Sequence, residues 1–379
     1  MSSHLRCREL SLHYGWLAVS FFTALSACAV GQDQSLAVDS TQKVLPAKLP
    51  IGEIVPKIGE STWIVFQDKH SNFWFGSDGE GVYRFNGKTT TKFSIKDGLC
   101  NDHIREIQQD KSGNVFFTTL DGVSKFDGQK FTTLTPVISN AADKGWKLQP
   151  DDLWFKGQPG KNGPYRFDGK SMYDLKFPKH YLEDGFTERH PQAPYSPYEI
   201  YTIYRDRSGS IWFGTSNFGV CRYDGESLSW MYEEHLTLVK GGGSFGIRSI
   251  LEDHEGKFWI CNTRNRFTVD PNETSEKGKG FISYTREKGI DSPRTPDGDD
   301  LIYYQSIIED DRRDLWMVTY RSGVWRYDGK NLTQYPVKDG SNEITLFSIS
   351  KDNHGELWLG TQKSGPYKFN GKSFEKFRP

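Results

Sequence analysis

Short runs of alternating apolar and polar residues recur along the chain and are separated by turn-forming residues. Runs such as YRF, YRY and YKF alternate aromatic and basic side chains, as strands do when one face is buried and the other exposed. Asn-Gly or Asp-Gly follows most of these runs, and both dipeptides favour the type I′ turn of a hairpin. The alternation predicts that short antiparallel strands, not helices, fill the chain.

The strand pattern is part of a longer repeat. The stretch IWFGTSNFGVCRYDG at residues 211–225 has close counterparts at residues 73–87, 315–329 and 357–371. Each copy places an aromatic residue just after its first turn, and these residues are Trp74, Phe116, Trp154, Trp212, Trp259, Trp316 and Trp358. Their spacing of 38 to 58 residues is typical of four-stranded propeller blades that carry insertions.

The same residue type recurs in the turn before the repeated aromatic. An aspartate stands six positions before it in six copies, at Asp68, Asp110, Asp206, Asp253, Asp310 and Asp352. Aspartate side chains bond to nearby backbone and glycine accepts a positive φ, so this pattern indicates a hairpin turn and a structural carboxylate. We do not expect these acids to act as a catalytic cluster.

The repeat predicts an all-β fold, a seven-bladed β-propeller of four-stranded antiparallel blades at residues 49–379. In the last copy we expect strands near residues 344–351, 356–361, 365–369 and 373–377. Radial packing would bury both faces of each sheet against its neighbours, with the repeated aromatic residue as the filler.

The pattern from Ile200 to Tyr232 resembles the two-component regulator propeller repeat. The resemblance extends over residues 60–379 and is weakest in the fifth copy, where RNRFTVDPNETSEKGKGF replaces the usual motif. It implies a lineage of periplasmic sensor regions. Because the chain stops in the last strand of its seventh copy, we expect no output module to follow, and therefore recognition without direct signalling.

The N-terminus differs from the repeats. An apolar run from Leu17 to Ala27 is too short to span a bilayer and indicates a signal peptide at residues 1–27. Residues 25–28, LSAC, resemble a bacterial lipobox, so we expect Cys28 to be lipidated and residues 28–48 to form a flexible tether. Ordinary signal-peptidase cleavage nearby is the alternative. Either way, we expect the propeller outside the cytoplasm, and with the lipid it would be anchored in the bacterial cell envelope.

Composition narrows the classes of function. A net charge of −1 gives no basic excess for nucleic-acid binding. The histidines show no metal-ligand spacing, so we expect neither a metal nor another cofactor. Beyond the signal peptide and Cys28, only Cys100, Cys221 and Cys261 remain; we interpret them as packing residues, with a Cys221–Cys261 disulfide as the alternative.

The longest connections predict where ligands bind. They run over Phe177–Glu199, Tyr232–Gly246 and Tyr284–Tyr303, and all three are interpreted as loops between blades on one face. Adding the starts of the inner strands and the loops after each Gly-Thr gives the candidate ligand-binding residues, which are Trp63, Arg105, His180, His190, Tyr198, Tyr201, Asn217, Arg248, Arg264, Arg266, Tyr303, Tyr320 and Arg321. The alternative is that these side chains pack their loops or face water.

We expect a monomer that binds an extracellular small ligand or glycan, such as an oligosaccharide, or an envelope protein. The alternative is a polysaccharide lyase or hydrolase on the same face. His190 or Tyr198 would then act as the base and Arg264 or Arg321 would hold a carboxylate. A purely structural scaffold in an envelope complex is a third reading.

Overall fold

The computed structural model describes residues 51–138, 145–239, 243–270, 280–291 and 302–379. The predicted signal peptide, Cys28 and the tether lie outside these ranges. Within them, every helix is too short or too polar to cross a membrane.

Seven sheets follow one another along the chain and confirm the predicted propeller. Blade one has β1 (Glu53–Val55), β2 (Thr62–Gln67), β3 (Phe73–Ser77), β4 (Val82–Phe85) and β5 (Thr90–Phe93). Blade two has β6 (Ile104–Gln109), β7 (Val115–Thr119), β8 (Gly122–Phe126) and β9 (Phe131–Leu134). Blade three has β10 (Pro136–Ile138), β11 (Leu153–Phe155), β12 (Tyr165–Phe167) and β13 (Met172–Asp174).

The remaining blades lie in the second half of the chain. Blade four has β14 (Ile200–Arg205), β15 (Ile211–Thr215), β16 (Val220–Tyr223) and β17 (Leu228–Met231), and a hairpin of β18 (Leu238–Val239) and β19 (Gly243–Ser244) follows it. Blade five has β20 (Ile250–Glu252), β21 (Phe258–Ile260), β22 (Asn265–Val269) and β23 (Tyr284–Lys288). Blade six has β24 (Ser306–Glu309), β25 (Leu315–Val318), β26 (Val324–Tyr327) and β27 (Leu332–Tyr335), and a hairpin of β28 (Lys338–Asp339) and β29 (Asn342–Glu343) follows it. Blade seven has β30 (Leu346–Lys351), β31 (Leu357–Thr361), β32 (Tyr367–Phe369) and β33 (Phe374–Lys376).

Helical structure is confined to connections. A 3-10 helix covers Ile95–Asp97 after blade one, α1 covers Glu183–Arg189 between blades three and four, and α2 covers Glu234–Thr237 after blade four. Two of the three predicted long connections therefore lie between blades as expected. The predicted start of the third connection, Tyr284, was wrong, because residues 284–288 form β23, the outer strand of blade five.

The ring closes between the last and the first blade without exchanging a strand. The inner strands β30 and β2 pack together. Ser348 Oγ donates to the Trp63 carbonyl oxygen at 2.6 Å, and the Gly365 N–H donates to the Glu60 carbonyl oxygen at 2.7 Å. Phe377 also packs on Phe75, with ring centroids 6.0 Å apart. Side chains and loop backbone, not a shared sheet, hold this junction.

A buried bond between aspartate and tryptophan organises five blades. The indole Nε1–H donates to the aspartate six residues earlier at 2.7–2.9 Å, in the pairs Trp74–Asp68, Trp212–Asp206, Trp259–Asp253, Trp316–Asp310 and Trp358–Asp352. The other carboxylate oxygen accepts backbone N–H groups of the turn, as at Asp352. The repeated aspartate is therefore structural, as predicted. In blade three Leu148 replaces it, and the buried Trp154 Nε1 has no partner in the described chain.

Neighbouring blades are also linked through these turns. The backbone N–H after the aspartate of one blade donates to a Glu or Gln side chain at the end of the next inner strand. This occurs in the pairs Lys69–Gln109, Arg207–Glu252, His254–Glu309 and Asn353–Gln67, at 2.8–3.1 Å. A side-chain acceptor thus ties the turn of each of these blades to the strand beside it.

Blade three departs from the predicted order. Its sheet runs β10-β13-β12-β11, with β10 added in parallel at the outer edge. Residues 145–152, which precede β11, form no strand, so no described residue supplies an inner strand to this blade. The vacant inner edge of β11 is bonded instead by neighbours: Gln108 Nε2 donates to the Trp154 carbonyl oxygen at 2.7 Å, and Arg205 Nη2 donates to the Asp152 carbonyl oxygen at 2.9 Å.

The three cysteines within the described ranges are free thiols. Cys221 and Cys261 are buried and unpaired, so the alternative of a disulfide between them is wrong, and Cys100 is partly buried. Burial raises the pKa of the Cys221 thiol well above its usual value. This agrees with their interpretation as packing residues.

Candidate functional site

Three predicted site residues, Trp63, Arg105 and Tyr201, occupy β-bulges at the starts of inner strands. Four inner strands shift register after their first residue, between Thr62 and Ile64, Ile104 and Glu106, Ile200 and Thr202, and Leu346 and Ser348. The extra residues are Trp63, Arg105, Tyr201 and Phe347. A bulge re-aims the side chain of its extra residue, and all four are partly exposed.

Across the junction of the first and last blades these side chains stack in series. Phe347 and Trp63 lie parallel with ring centroids 4.1 Å apart, and the Arg105 guanidinium lies 4.7 Å from the centroid of the Trp63 ring. Tyr320 meets Phe347 edge-on at 5.9 Å. We call Tyr320, Phe347, Trp63 and Arg105 the aromatic arc. Aromatic rings that remain partly exposed beside a guanidinium group suit a sugar, which offers apolar and polar groups together.

The Asp78 carboxylate holds Arg105 in place and also contacts His103. Asp78 Oδ1 lies 3.0 Å from Arg105 Nη1 and 2.7 Å from His103 Nδ1. Partial burial raises the pKa of Asp78, but the hydrogen bonds and charges of His103 and Arg105 outweigh this, so its pKa is lowered. The carboxylate is therefore a fixed counter-ion for one edge of the guanidinium.

A second cationic group lies on the ring of Tyr201, the bulge residue of blade four. The Arg248 guanidinium lies 4.0 Å from the Tyr201 ring centroid, and its Nε donates to the Phe245 carbonyl oxygen at 3.1 Å. Tyr303 lies near, with its ring 6.2 Å from that of Phe245 and its hydroxyl bonded to the His235 carbonyl oxygen at 2.9 Å. Arg248 itself is exposed. We call Tyr201 and Arg248 the cation–aromatic pair.

Blade three occupies the interval between Arg105 and Tyr201. The described residues of blade three supply no inner strand, and beside β11 lies a cavity of about 300 Å³ lined by residues of blades two, three and four, among them Glu106, Gln108, Asp152 and Arg205. Lys156, one residue after β11, is partly buried beside this interval and interacts electrostatically with Glu106, Arg248 and Arg105. Sequence reasoning missed Lys156 and Glu106, because no local pattern indicates that β6 and the residue after β11 interact.

Two predicted site residues lie in the interior. His180 is 1% exposed; it stacks on Phe218 at 4.5 Å, and burial lowers its pKa to about 4. Tyr198 is 3% exposed, its hydroxyl donates to Glu183, and it accepts the His180 backbone N–H at 2.6 Å. Burial and Glu183 raise the pKa of this phenol. The pair fastens the 177–199 connection to blade four.

The other predicted residues are dispersed. His190 is exposed at the end of α1, and Asn217 has a buried carboxamide oxygen without a partner in the described chain. Arg264 is exposed on a cavity of about 420 Å³ that Arg286 also lines. Arg321 lies 5.6 Å from the ring of Tyr320.

Arg266 does not lie in a loop as predicted. It belongs to β22, opposite Trp259, and its guanidinium bonds to Glu255 at 2.7 Å and to Glu287 at 3.3 Å. The strand begins at Asn265, so the alternation of β22 directs this side chain toward the acids of its own blade.

The residues proposed for catalysis are held by different neighbours. His190 contacts Phe186 within its own helix, Tyr198 is fixed to Glu183, and Arg321 stacks on Tyr320. The arrangement supplies no joint acid–base geometry for these residues. Across the residues that the structure describes, His, Cys, Asp and Glu also form no cluster of three or more that is arranged as a metal site.

Comparison with known proteins agrees with the repeat analysis. Residues 194–217 match the family model described as two component regulator propeller. No curated protein matches the sequence. Among solved structures, the chain is similar to the extracellular domain of BT4673 from B. thetaiotaomicron, described as part of a hybrid two component system, at 19% identity and a TM-score of 0.52. The match covers 83% of this chain and 39% of that one, so the chain spans about two fifths of that relative.

Two further structures share the fold. The extracellular domain of BT3049 from B. thetaiotaomicron is 16% identical, with a TM-score of 0.54 and coverage of 85% of this chain and 41% of that one. Virginiamycin B lyase from Staphylococcus aureus is 12% identical, with a TM-score of 0.57 and coverage of 82% and 97%. At these identities the likeness extends to the propeller fold alone.

Proposed function

We propose that this chain, a seven-bladed propeller with a two component regulator propeller repeat at residues 194–217, is a lipid-anchored binding protein of the bacterial cell envelope. Its ligand would be an extracellular oligosaccharide, held at the channel mouth. The apolar run before Cys28 and the LSAC sequence support export and lipidation.

The aromatic arc is the observation that carries this proposal. Phe347 and Trp63 are stacked 4.1 Å apart and remain partly exposed, although most large aromatic residues of the repeats are fully buried. Bulges hold both residues out of the regular ladder, where their side chains remain partly exposed. An exposed stacked surface with nearby guanidinium groups suits sugar rings, which offer apolar faces and polar edges.

Binding is tested with the soluble form that begins after the tether, at residue 49. A panel of neutral and uronate-containing oligosaccharides is screened by thermal shift and then by calorimetry. Trp63→Ala should weaken the best ligand roughly 10- to 30-fold, because an aromatic anchor contributes about 1.4–2 kcal/mol or more. Tyr181→Ala is the matched control, since Tyr181 is an aromatic residue 57% exposed on the 177–199 connection.

If Tyr181→Ala weakens binding and Trp63→Ala does not, the ligand lies on the connection and the arc is not the site. If no oligosaccharide shifts the melting temperature of the wild-type protein, the proposed ligand class is wrong.

The anchor has its own test. Cys28→Ser should move the protein from the membrane fraction to the soluble extracytoplasmic fraction, because it removes the residue that carries the acyl chains. Metabolic labelling with a fatty-acid analogue should be lost in the same variant. Labelling that persists in Cys28→Ser would contradict the proposed anchor.

A further inference from the structure

The loop between β3 and β4 places a carboxylate beside the aromatic arc. Asp78 directly follows β3, and its backbone N–H donates to the carbonyl oxygen of Ser61, the residue before β2, at 3.0 Å. The Gly81 N–H donates to the Asp102 carbonyl oxygen at 2.9 Å, and Asp78 forms an antiparallel bridge with His103. Backbone bonds therefore fix this loop before a ligand binds, which reduces the entropy that binding must remove.

The Asp78 carboxylate retains capacity to accept further hydrogen bonds. Its closest contacts both use Oδ1, which lies 2.7 Å from His103 Nδ1 and 3.0 Å from Arg105 Nη1. Within the described ranges, no other residue bonds to this carboxylate. An ionised carboxylate accepts about four hydrogen bonds, and this side chain is 27% exposed. A ligand can therefore reach an acceptor that the described residues leave only partly used.

Unused donors lie next to this acceptor. Arg105 Nη1 also contacts the Ile104 carbonyl oxygen at 3.3 Å, but a guanidinium carries five N–H groups and the side chain is 27% exposed. The same guanidinium lies 4.7 Å from the centroid of the Trp63 ring. The His103 side chain, 42% exposed, bonds to Asp78 through Nδ1 and keeps Nε2 for another partner. An acceptor, several donors and an aromatic surface therefore meet in one place.

This combination selects hydroxyl groups over acidic groups. The pKa of Asp78 is lowered, so at neutral pH its carboxylate is ionised and only accepts hydrogen bonds. A sugar hydroxyl donates to a carboxylate and accepts from a guanidinium, so two adjacent hydroxyl groups can satisfy both. A ligand carboxylate or sulfate has no proton to donate at this pH and meets the like charge of Asp78. The charge of Arg105 does not reverse this preference, because Asp78 offsets it from 3.0 Å away.

We propose that Asp78 and Arg105 bind adjacent hydroxyl groups of an uncharged sugar that lies against the aromatic arc. His103 Nε2 is positioned to bond to a neighbouring polar group of the same ligand. This inference rests on the proposed function and narrows it: the oligosaccharide is neutral at the residue that occupies this site. Sequence reasoning had not included Asp78 or His103 among the ligand-binding residues.

The test compares neutral oligosaccharides with their acidic counterparts in the soluble form. The probes are three pairs of equal length and linkage: mannohexaose with oligomannuronate, cellohexaose with cellouronate, and galactohexaose with oligogalacturonate. Affinities are measured by calorimetry at neutral pH and constant ionic strength. In a pair that binds, the neutral member should bind roughly 10-fold tighter or more, because like charges across an interface oppose binding. Tighter binding of the acidic member would overturn the proposal.

Asp78→Asn and Glu80→Gln separate a direct contact from a general effect of charge. Glu80 lies in the same loop, but its carboxylate accepts the Tyr83 hydroxyl at 2.7 Å. Asp78→Asn should weaken the neutral ligand roughly 10- to 100-fold, the range for losing a charged hydrogen bond, and should reduce the preference over the acidic counterpart. Glu80→Gln should preserve both. If Asp78 only positioned Arg105, both members of the pair would weaken equally, and an unchanged preference would overturn the direct contact.

Deoxy analogues test the same contact in the wild-type protein, whose folding is not in question. Removal of a hydroxyl group at either of two adjacent ring positions should weaken wild-type binding roughly 10-fold, because it leaves a charged group without its partner. The same removal should have much less effect in Asp78→Asn. An equal loss in both proteins would mean that the hydroxyl groups bind elsewhere and would overturn the proposal.

The outcomes separate this inference from the proposed function. If an acidic oligosaccharide binds best and its binding needs Trp63, the arc is the site and the neutral ligand is wrong. If a neutral oligosaccharide needs Trp63 but not Asp78, the arc stands and the hydroxyl contact is wrong. If no member of any pair binds, both the proposed oligosaccharide function and this inference are wrong. Binding of a neutral oligosaccharide that needs both Trp63 and Asp78 supports both.

Discussion

Replacing Asp352 by asparagine tests how much the aspartate–tryptophan bond stabilises a blade. The Asp352 carboxylate accepts the Trp358 indole N–H and the backbone N–H groups of His354 and Glu356, each at 2.9 Å. Asparagine keeps an oxygen for the two backbone groups but directs an NH₂ group at the indole. Trp358 is 2% exposed, so water cannot replace the lost acceptor. An unsatisfied buried donor costs about 1–3 kcal/mol, and the loss of a charged acceptor places this variant near 2–3 kcal/mol.

The assay is urea unfolding followed by circular dichroism, in two backgrounds. In the Trp358→Phe background there is no indole donor to strand, so Asp352→Asn should cost less than about 1 kcal/mol there. Blade two supplies a natural control, because Phe116 replaces the tryptophan and the partner of Asp110 is the Asn114 amide, which can turn toward solvent. If Asp110→Asn costs as much as Asp352→Asn, or if the cost persists with Trp358→Phe, the indole bond is not its source.

The same bond predicts a dependence on pH. Burial raises the pKa of Asp352, but the hydrogen bonds from Trp358, His354 and Glu356 outweigh it, so the pKa in the folded protein is lowered. A lowered carboxyl pKa contributes stability that is complete above the unfolded value of about 3.9 and is lost as the pH falls through the folded value. The stability difference between wild type and Asp352→Asn should therefore be constant at neutral pH and shrink below about pH 4.

Three further outcomes are expected. Gly360→Ala should lower the melting temperature markedly, because its Cβ would lie 1.9 Å from the Trp63 carbonyl oxygen at the ring junction; an unchanged melting temperature would mean that this contact relaxes. Gln108→Ala should lower the free energy of unfolding by about 1–2 kcal/mol in urea unfolding, because the Trp154 carbonyl oxygen loses its side-chain donor; a neutral effect would show that water serves as well. Burial lowers the pKa of His180 in the folded protein to about 4. As the pH falls below about 6.5, the unfolded chain therefore binds a proton before the folded protein does, and the free energy of unfolding should decrease by roughly 3 kcal/mol by pH 4. His180→Gln should flatten this part of the plot of unfolding free energy against pH.

The architecture was predictable because it rests on local rules. Alternation, Asn-Gly and Asp-Gly turns and one large aromatic residue per blade act within about 30 residues. In the last copy the expected strand at residues 356–361 is observed as Leu357–Thr361. All seven repeated aromatics lie in strands, on β3, β7, β11, β15, β21, β25 and β31, and are at most 3% exposed.

Blade three shows where local rules fail. Its aromatic Trp154 fits the repeat, but whether residues 145–152 pair as an inner strand depends on Gln108 and Arg205, which belong to other blades. Two local signals were available: Leu148 replaces the usual aspartate, and Lys156 stands where other blades have a small or apolar residue. Neither signal alone predicts that residues 145–152 form no inner strand.

The candidate site was only partly predictable from residue type. Trp63, Arg105, Tyr201 and Arg248 lie at the channel mouth because the strand starts were aligned correctly. His180 and Tyr198 have the same chemistry as binding residues, yet Phe218 and Glu183 fix them in the interior. A sequence gives the side chain, whereas its exposure depends on neighbours that are distant along the chain.

Each of the seven sheets is built from one uninterrupted stretch of sequence, from residues 53–93 in the first to 346–376 in the last. The backbone hydrogen bonds within the sheets therefore do not depend on which blade comes first in the sequence. A circularly permuted gene that opens the ring between blades three and four, and joins the present ends with a short linker, would keep every backbone ladder intact. Such a permutant should fold to the same propeller, and it would place a new chain start beside the channel mouth, where a reporter group could sense the bound ligand.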